Sequence, residues 1–532
     1  MGAGKRRWGP LLSFPLVGGA LTTTPDWEQL GKRWWSHVEF LADDRREGRE
    51  TGSRGHAEAA DYMADQFRAV GLAPAGVRGY RQAVDLDVVS LDRSRCALEL
   101  VHAGGTEPLS LESDAAFLAN TQTPEHSEAE AVFVGYGLTV PELNYDDLAG
   151  QDLQGKVAVY VMGGPPEMPA SVKAHYQFIY ERRKFLRRAG VVGTVAIPNP
   201  KASERPWSRV AASGWDPKME LRDPGPDVPP PLPLVLWFNT DRAELLFAHS
   251  GRSFQEVLAA LHAGGPLPRF PLRVKIRARV GMSRTRVTSD NVVGVLPGSD
   301  PKLRHEYVVV SAHLDHVGIG EPIGGDRIYH GAMDDASGDA SLIEVARALK
   351  DSGARPRRSI LFLSVTAEEK GLLGSLYFAA HPTVAGPLVA DLNLDCFLPI
   401  FPLKYLEVQG LGESTLGDDI RSVAGAVGVE VLPDPEPEHN FFIRSDQYSF
   451  IRQGVPGLMF RFSCPPGAPE EKLFKTWLAE RYHAPSDDVH QPVERAGAAQ
   501  FNSILANLAL RVADADERPA WKPDSFFRRF VR

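Results

Sequence analysis

The sequence predicts an α/β protein built on a mixed, mostly parallel sheet with helices on both faces. The runs 291–296, 307–312 and 360–365 are short, unbroken and apolar, rich in Val, Ile and Leu. Such runs suit strands buried on both sides. Amphipathic stretches alternate with them. Ala340, Ile343, Ala346 and Leu349 form one stripe at helical spacing, and Leu372, Leu373, Leu376 and Phe378 belong to another. At 532 residues the chain exceeds one ordinary core, so two domains or more are expected.

Taken in order, residues 1–24 begin with Lys5-Arg6-Arg7 and an apolar stretch over 11–21, which resembles a secretory signal interrupted by Pro10 and Pro15. From 26 to 71 the pattern is helical around a polar, Gly-punctuated loop at 41–49. Ala60, Met63, Ala64, Phe67 and Val70 make its stripe, and Gly71 is a C-cap candidate. Residues 80–111 alternate as strands do. A second α/β module starts near Ala129, with strands at 131–134, 156–161, 191–197 and 234–238, a turn at Gly135-Tyr136-Gly137, and helices at 178–189 and 254–261. Dense Pro and Gly over 198–233 predict long surface loops. A last helix is expected at 496–513, and residues 516–532 read as a tail.

Composition excludes several classes. The net charge of −9 comes with no basic stripe interleaved with aromatics, so no nucleic-acid partner is expected. The cluster Arg182, Arg183, Lys184, Arg187 and Arg188 reads as a solvated helix face. No internal run of ~18 apolar residues supports a membrane span. Cys96, Cys396 and Cys464 form no CxxC pair, which leaves at most one bridge open and supports no thiolate metal site. Cys396 reads as a small buried apolar residue.

The chemistry lies where strands end. His313 follows the run 307–312, Glu368 and Glu369 follow 360–365, and Asp395 ends 388–394. Functional groups gather at this edge of open α/β sheets. Asp334 sits between them in the Gly-bounded loop 331–338, and His483 comes later. Imidazole and carboxylate donors suit zinc, and two zinc ions need a carboxylate that bridges them. Asp334 is the natural bridge, with His313 and Asp395 on one ion and Glu369 and His483 on the other. Glu368 is then free to act as general base toward a metal-bound water. Asp315 has two readings: a carboxylate that accepts the other N–H of His313, or a loop residue in a turn. His316 and His330 read as solvent-facing or hydrogen-bonded.

The segments SAHLDHVG, IYHGAMDDASG, TAEEKGLLGS, NLDCF, RSDQYSF and YHAPSDD resemble the co-catalytic dizinc aminopeptidases of the aminopeptidase Y, aminopeptidase S and bacterial leucyl aminopeptidase type. The early LADDRREGRETGSRG is similar to that family's N-terminal stretch, and 128–265 is similar to the protease-associated (PA) domain inserted in many members, with VFVGYGL and LQGKVAVYV its clearest parts. The resemblance implies the zinc-dependent exopeptidase fold, with 25–127 and 266–515 as the peptidase domain around the insert. It implies two Zn2+ on His313, Asp334, Glu369, Asp395 and His483, Glu368 as base, Asp315 in support, and Tyr482 and Arg444 on the substrate. Arg444 also has a structural reading, as a partner of Asp446. The implied reaction is hydrolysis of N-terminal amino acids from peptides by a metal-bridging hydroxide. Glutamate carboxypeptidase-type enzymes are the alternative; the DDASG loop stands closer to the aminopeptidases. Glutaminyl cyclases bind one zinc, and transferrin receptor ectodomains have lost the site. Asp335, His330 and Gln447 depart from the family's usual residues at non-ligand positions. Arg461, in a stretch that walls the specificity pocket in relatives, suggests a preference for acidic or polar side chains. Since most relatives are exported, a periplasmic or secreted protein is expected.

Overall fold

The computed structural model describes residues 25–200, 206–437 and 441–531. The signal-like segment at 1–24 lies outside them. Two compact units result: one joins 25–85, 288–437 and 441–531, the other is Leu86–Val287. The second unit contains the stretch 128–265.

In the first unit the strand Met282–Leu296, from Thr288 onward, and the strands Ser359–Val365, Tyr307–His313, Leu388–Asn393, Gly457–Ser463, Tyr405–Gln409 and Glu430–Leu432 lie side by side. Tyr307–His313 is parallel to both its neighbours, and Leu388–Asn393 is parallel to Gly457–Ser463. Antiparallel pairs flank this centre. The unbroken apolar runs have the expected cause. Val308 and Val310 enter one core with Trp34, Phe67, Ile343 and Phe501, whereas Val309 enters another with Phe378 and Phe450. Alternate side chains of one strand therefore fill both faces.

Helices sit where the stripes predict. Arg54–Val70 is capped by Ser53, whose hydroxyl accepts the His56 N–H, and it ends on Gly71 in the left-handed region at φ 85°. Ser337–Asp351 and Arg495–Asp514 bury nearly continuous faces. Trp34, on the helix Trp27–Leu41, donates its indole N–H to Ser337 O and Ser341 Oγ at 3.1 and 3.0 Å, which ties this helix to the one that follows the Asp334 loop.

Residues beyond Asp516 are packed, contrary to the tail expected from sequence. Phe527 is fully buried and the Trp521 indole donates to Gly454 O at 2.9 Å. The aromatic residues in this segment supply the burial that its short length concealed. The three cysteines are free, and Cys396 is buried. No helix among the described residues is long and apolar enough to cross a membrane.

The Leu86–Val287 unit has its own sheet. His126–Val134, Val157–Val161, Gly193–Ile197 and Leu234–Phe238 run parallel at its centre, with antiparallel strands outside, among them Arg269–Arg279 and Ala97–His102. The turn at Gly135-Tyr136-Gly137 closes on the buried Asp147. That carboxylate accepts N–H bonds from Tyr136 and Leu138 at 3.1 and 3.2 Å and the Tyr145 hydroxyl at 2.7 Å.

Burial pushes the Asp147 carboxyl up to about 6, against the opposing pull of these bonds. The unfolded value is ~3.9. Between these values the folded state binds more proton than the unfolded chain, so this group's contribution to stability falls as pH rises from about 4 to about 6, and is flat above. Asp147→Asn removes that titration. Its urea midpoint relative to wild type should shift in the variant's favour between pH 4.5 and 7.

Candidate metal centre

Strand register brings the predicted residues to one edge. His313 is opposite Val365 and Ser311 is opposite Asn393. Glu368, Glu369 and Asp395 follow those partners within a few residues, so they leave the sheet beside His313. Asp334 arrives from the segment Ala332–Ala336, which departs from helical geometry at Asp334 and Asp335. His483 comes from the loop after the helix Pro469–Glu480, with φ 50°.

The donors converge on both sides of Asp334. His313 Nε2 lies 3.2 Å from Asp334 Oδ1 and 3.6 Å from Asp395 Oδ1. The other oxygen, Asp334 Oδ2, lies 3.2 Å from His483 Nε2, which is itself 3.2 Å from Glu369 Oε1. One carboxylate thus faces two donor groups, as a bridge between two cations must. His313 Nε2, Asp334 Oδ2 and Glu369 Oε1 are buried without hydrogen-bond partners. Such atoms are costly unless a cation satisfies them. The nitrogen and oxygen donor set suits zinc.

Electrostatics follow from this crowding. Burial alone would lower His483, but Glu369 and Asp334 raise it to about 10. His313 is likewise raised, against burial, by Asp334 and Asp395. Burial would raise Asp334, yet His313 and His483 hold it well below the usual carboxylate range.

Asp315 acts differently from the expected carboxylate–imidazole contact. His313 Nδ1 is 3.0 Å from the Asp315 backbone carbonyl, which fixes the tautomer and leaves Nε2 as donor. The Asp315 carboxylate instead accepts the N–H groups of Glu368 and Glu369, at 3.0 and 3.4 Å, and the Thr51 hydroxyl at 2.9 Å. It positions the two glutamates, because two residues past the strand end its side chain reaches the adjacent strand's exit.

His316 departs from its sequence reading. It is fully buried, its Nδ1 is 2.9 Å from Glu369 Oε1, and neither ring nitrogen has a hydrogen-bond partner. His330 is hydrogen-bonded as expected, 3.3 Å from both Ala42 O and Asp326 Oδ2. The Tyr482 ring is tilted 31° to that of His483 with centres 4.1 Å apart, within electrostatic range of Asp334, Glu369 and Arg444. Arg444 is exposed, with its guanidinium 5.1 Å from the Phe441 ring centre, while Asp446 is fully buried. Arg461 is 3.7 Å from Glu407, both nearly buried, and lies over Phe441 and Phe474. Its charge is already paired, which removes the basis for a preference for acidic side chains.

Two supporting residues escaped the sequence reading. Arg49 is fully buried and donates to four carbonyls: Leu41 and His330 at 2.8 Å, and Leu314 and Gly331 at 2.9 Å. It clamps the loops that carry His313 and Asp334. Asp487 accepts the N–H groups of Met333 and Asp334 at 2.9 and 3.1 Å. Asp487 in YHAPSDD and Arg49 in LADDRREGRETGSRG both lie in segments that carry the resemblance, yet neither was given a role from sequence. Asp335 accepts N–H bonds from His313 and Gly338 at 3.3 and 3.1 Å. A Cβ at Gly338 would lie 2.2 Å from Asp335 Oδ2, so glycine is required there. A further histidine–carboxylate group, His102, Glu107 and His249, lies in the Leu86–Val287 unit. There Gly104 N–H donates to His102 Nδ1 at 3.0 Å, leaving the proton on Nε2, which faces Glu107 at 3.3 Å. His102 Nε2 is buried there without a hydrogen-bond partner, and His249 Nε2 lies 3.9 Å from the same Glu107 oxygen.

Residues 291–509 match the model of Peptidase family M28, and this stretch holds the five expected ligands and Glu368. Bovine carboxypeptidase Q is 34% identical over 46% of this chain and 46% of its own length. Mouse aminopeptidase NAALADL1 is 32% identical over 34% of this chain and 24% of its own length. The chain therefore spans less than half the length of these relatives. The solved aminopeptidase from Aneurinibacillus sp. strain AM-1 shares the fold, with a TM-score of 0.54 at 20% identity over 93% of this chain and 97% of that one.

Replacing Arg49 tests the clamp. A lysine offers fewer donors on a flexible stem and cannot reproduce four carbonyl bonds. Each carbonyl left unsatisfied costs about 1–3 kcal/mol. Arg49→Lys should lower the unfolding midpoint and reduce bound zinc after gel filtration, by metal analysis. Asp334→Ala, which removes the shared ligand, should lose both ions while the far-ultraviolet circular dichroism stays that of wild type.

Proposed function

We propose that this chain is a zinc-dependent aminopeptidase that removes N-terminal amino acids from peptides and works with two zinc ions. The observation that carries this reading is the two-sided cluster around Asp334, with unpartnered donor atoms on each side of one carboxylate. The match of 291–509 to Peptidase family M28 supports the reaction class.

In this reading His313 and Asp395 hold one ion, Glu369 and His483 hold the other, and Asp334 is shared. The zinc ions would supply Lewis acidity to the scissile carbonyl and lower the proton affinity of water in the site. Glu368 takes the proton from the attacking water and returns it to the leaving amine. Its backbone is fixed by Asp315, so its carboxylate is presented beside the cluster without being spent on a ligand bond. Burial raises Glu368 well above the usual range, and the carboxylates of Asp395 and Glu369 add to this against His313. Cations in the site oppose that push, which leaves a base matched to near-neutral chemistry. Tyr482 and Arg444 are proposed to contact the substrate. The stretch 128–265 is proposed to be PA-like, and the protein to be exported.

A second reading, a carboxypeptidase or dipeptidase, has one observation in its favour: the similarity to carboxypeptidase Q. The two differ in which peptide end must be free. An N-acetylated peptide should be inert and its C-amidated counterpart cleaved; the reverse result would establish the second reading. Glu368→Gln should retain the zinc content of wild type and lose about 10²–10⁴-fold in kcat. Wild-type turnover by that variant would remove Glu368 as the base.

A further inference from the structure

We propose that His316 is a direct ligand of the cation at the Glu369/His483 position, through its Nδ1. The inference rests on the two-zinc reading above and adds a residue to it. That position would then carry two imidazoles and two carboxylates, from His316, His483, Glu369 and Asp334. The other position would keep three protein donors, His313, Asp395 and Asp334.

Distances set the first condition. Two atoms bound to one zinc at ~2.0–2.2 Å can be no more than about 4.4 Å apart. His316 Nδ1 lies 2.9 Å from Glu369 Oε1 and 4.0 Å from Asp334 Oδ2. His483 Nε2 lies 3.2 Å from the same two oxygens. Both imidazoles therefore satisfy the limit toward the same pair of carboxylate atoms.

Orientation supplies the second. The contact between His316 Nδ1 and Glu369 Oε1 is short enough for a hydrogen bond yet lacks the alignment of one, and both atoms are left without a partner. His313 Nε2, the expected donor on the other side, is likewise 3.2 Å from Asp334 Oδ1 and without a hydrogen-bond partner. His316 is 0% exposed, so bulk solvent does not reach it.

Packing fixes the ring. A Cβ on Gly331, whose φ is 60°, would come within 2.5 Å of His316 Cγ, so the glycine leaves room for the imidazole. On another side the His483 ring stands nearly perpendicular, 5.5 Å away. The His316 N–H donates to Arg49 O at 3.4 Å, which links the ring's backbone to the buried clamp. The loop geometry that delivers His313 at the strand end thus also delivers a histidine three residues later to the opposite side of Asp334.

The consequence is asymmetry. A four-donor zinc position is closed and holds its ion tightly, whereas a three-donor position keeps an open coordination site. Removal of zinc by a chelator should proceed in two phases, with the slower ion at the His316 position.

The test counts nitrogens and affinities. Zinc K-edge absorption of the wild-type holoenzyme should give about 1.5 imidazoles per zinc, three histidines over two ions. A value near 1 would overturn the proposal with no variant needed. His316→Asn places an amide where Nδ1 lies; it can hydrogen-bond Glu369 but is a poor zinc donor. If His316 ligates, His316→Asn and His316→Ala both weaken the tighter zinc by more than about 100-fold, beyond the ~10–100-fold that loss of an outer partner costs. A loss of about 100-fold or less in His316→Asn would show a positioning role and overturn ligation. Should wild type bind no zinc at all, the two-metal reading itself fails, an outcome distinct from two bound ions with His316 dispensable.

Discussion

The site depends on how much negative charge the fold buries at one edge of its sheet. Asp315, Asp334, Asp335, Asp339, Asp446 and Asp487 are each no more than 2% exposed. Unpaired carboxylates in such surroundings are prohibitive, so each must be neutralised, hydrogen-bonded or matched by positive charge. All three solutions are present. Burial pushes Asp339 and Asp446 up to about 7, which keeps protons within reach. Asp315, Asp335 and Asp487 are occupied by backbone N–H groups. Asp334 and Glu369 remain, and only imidazoles and cations are left to meet them.

Arg49 is the fixed cation of this arrangement. It forms no ion pair with the aspartates. It spends its donors on four carbonyls, and its charge acts on Asp339, Asp487, Asp315 and Asp335 through space. The guanidinium thus has two functions: it satisfies loop carbonyls that the strand-to-helix connections cannot, and it lowers the cost of the surrounding anions. A planar, permanently charged fork suits both tasks.

The divided use of Asp315 shows how the four-residue segment 313–316 organises the centre. Its carbonyl sets the tautomer of His313, its carboxylate holds the backbone of both glutamates, and the next residue places an imidazole against Glu369. Because Glu368 and Glu369 are anchored through their N–H groups, adjacent carboxylates diverge, one into the donor cluster and one beside it. The parallel pairing of Tyr307–His313 with Ser359–Val365 makes this possible, since both strands exit on the same side.

Much of this was legible in the chain itself. Unbroken apolar runs identified strands covered on both faces, helical stripes identified their partners, and charged residues just past the strands marked the edge where donors would meet. These features are local: periodicity and burial depend on near neighbours. For His316 and His330 the chain offered one shared reading, solvent-facing or hydrogen-bonded, and only His330 is found hydrogen-bonded. What it left open were choices between equivalent groups a few residues apart. Whether Asp315 acts through its carbonyl or its carboxylate, whether His316 faces solvent or Glu369, and whether Arg461 is free or paired with Glu407 each depend on which atoms lie opposite. Those atoms come from other segments: the Glu368 N–H, 53 residues from Asp315, Glu369 opposite His316, Glu407 opposite Arg461, and the Thr51 hydroxyl, 264 residues from Asp315. Composition and spacing determined which chemistry is present; strand register and loop packing decided which atom performs it, because a donor's role is set by its direction and its partners, and neither is encoded by its own position alone.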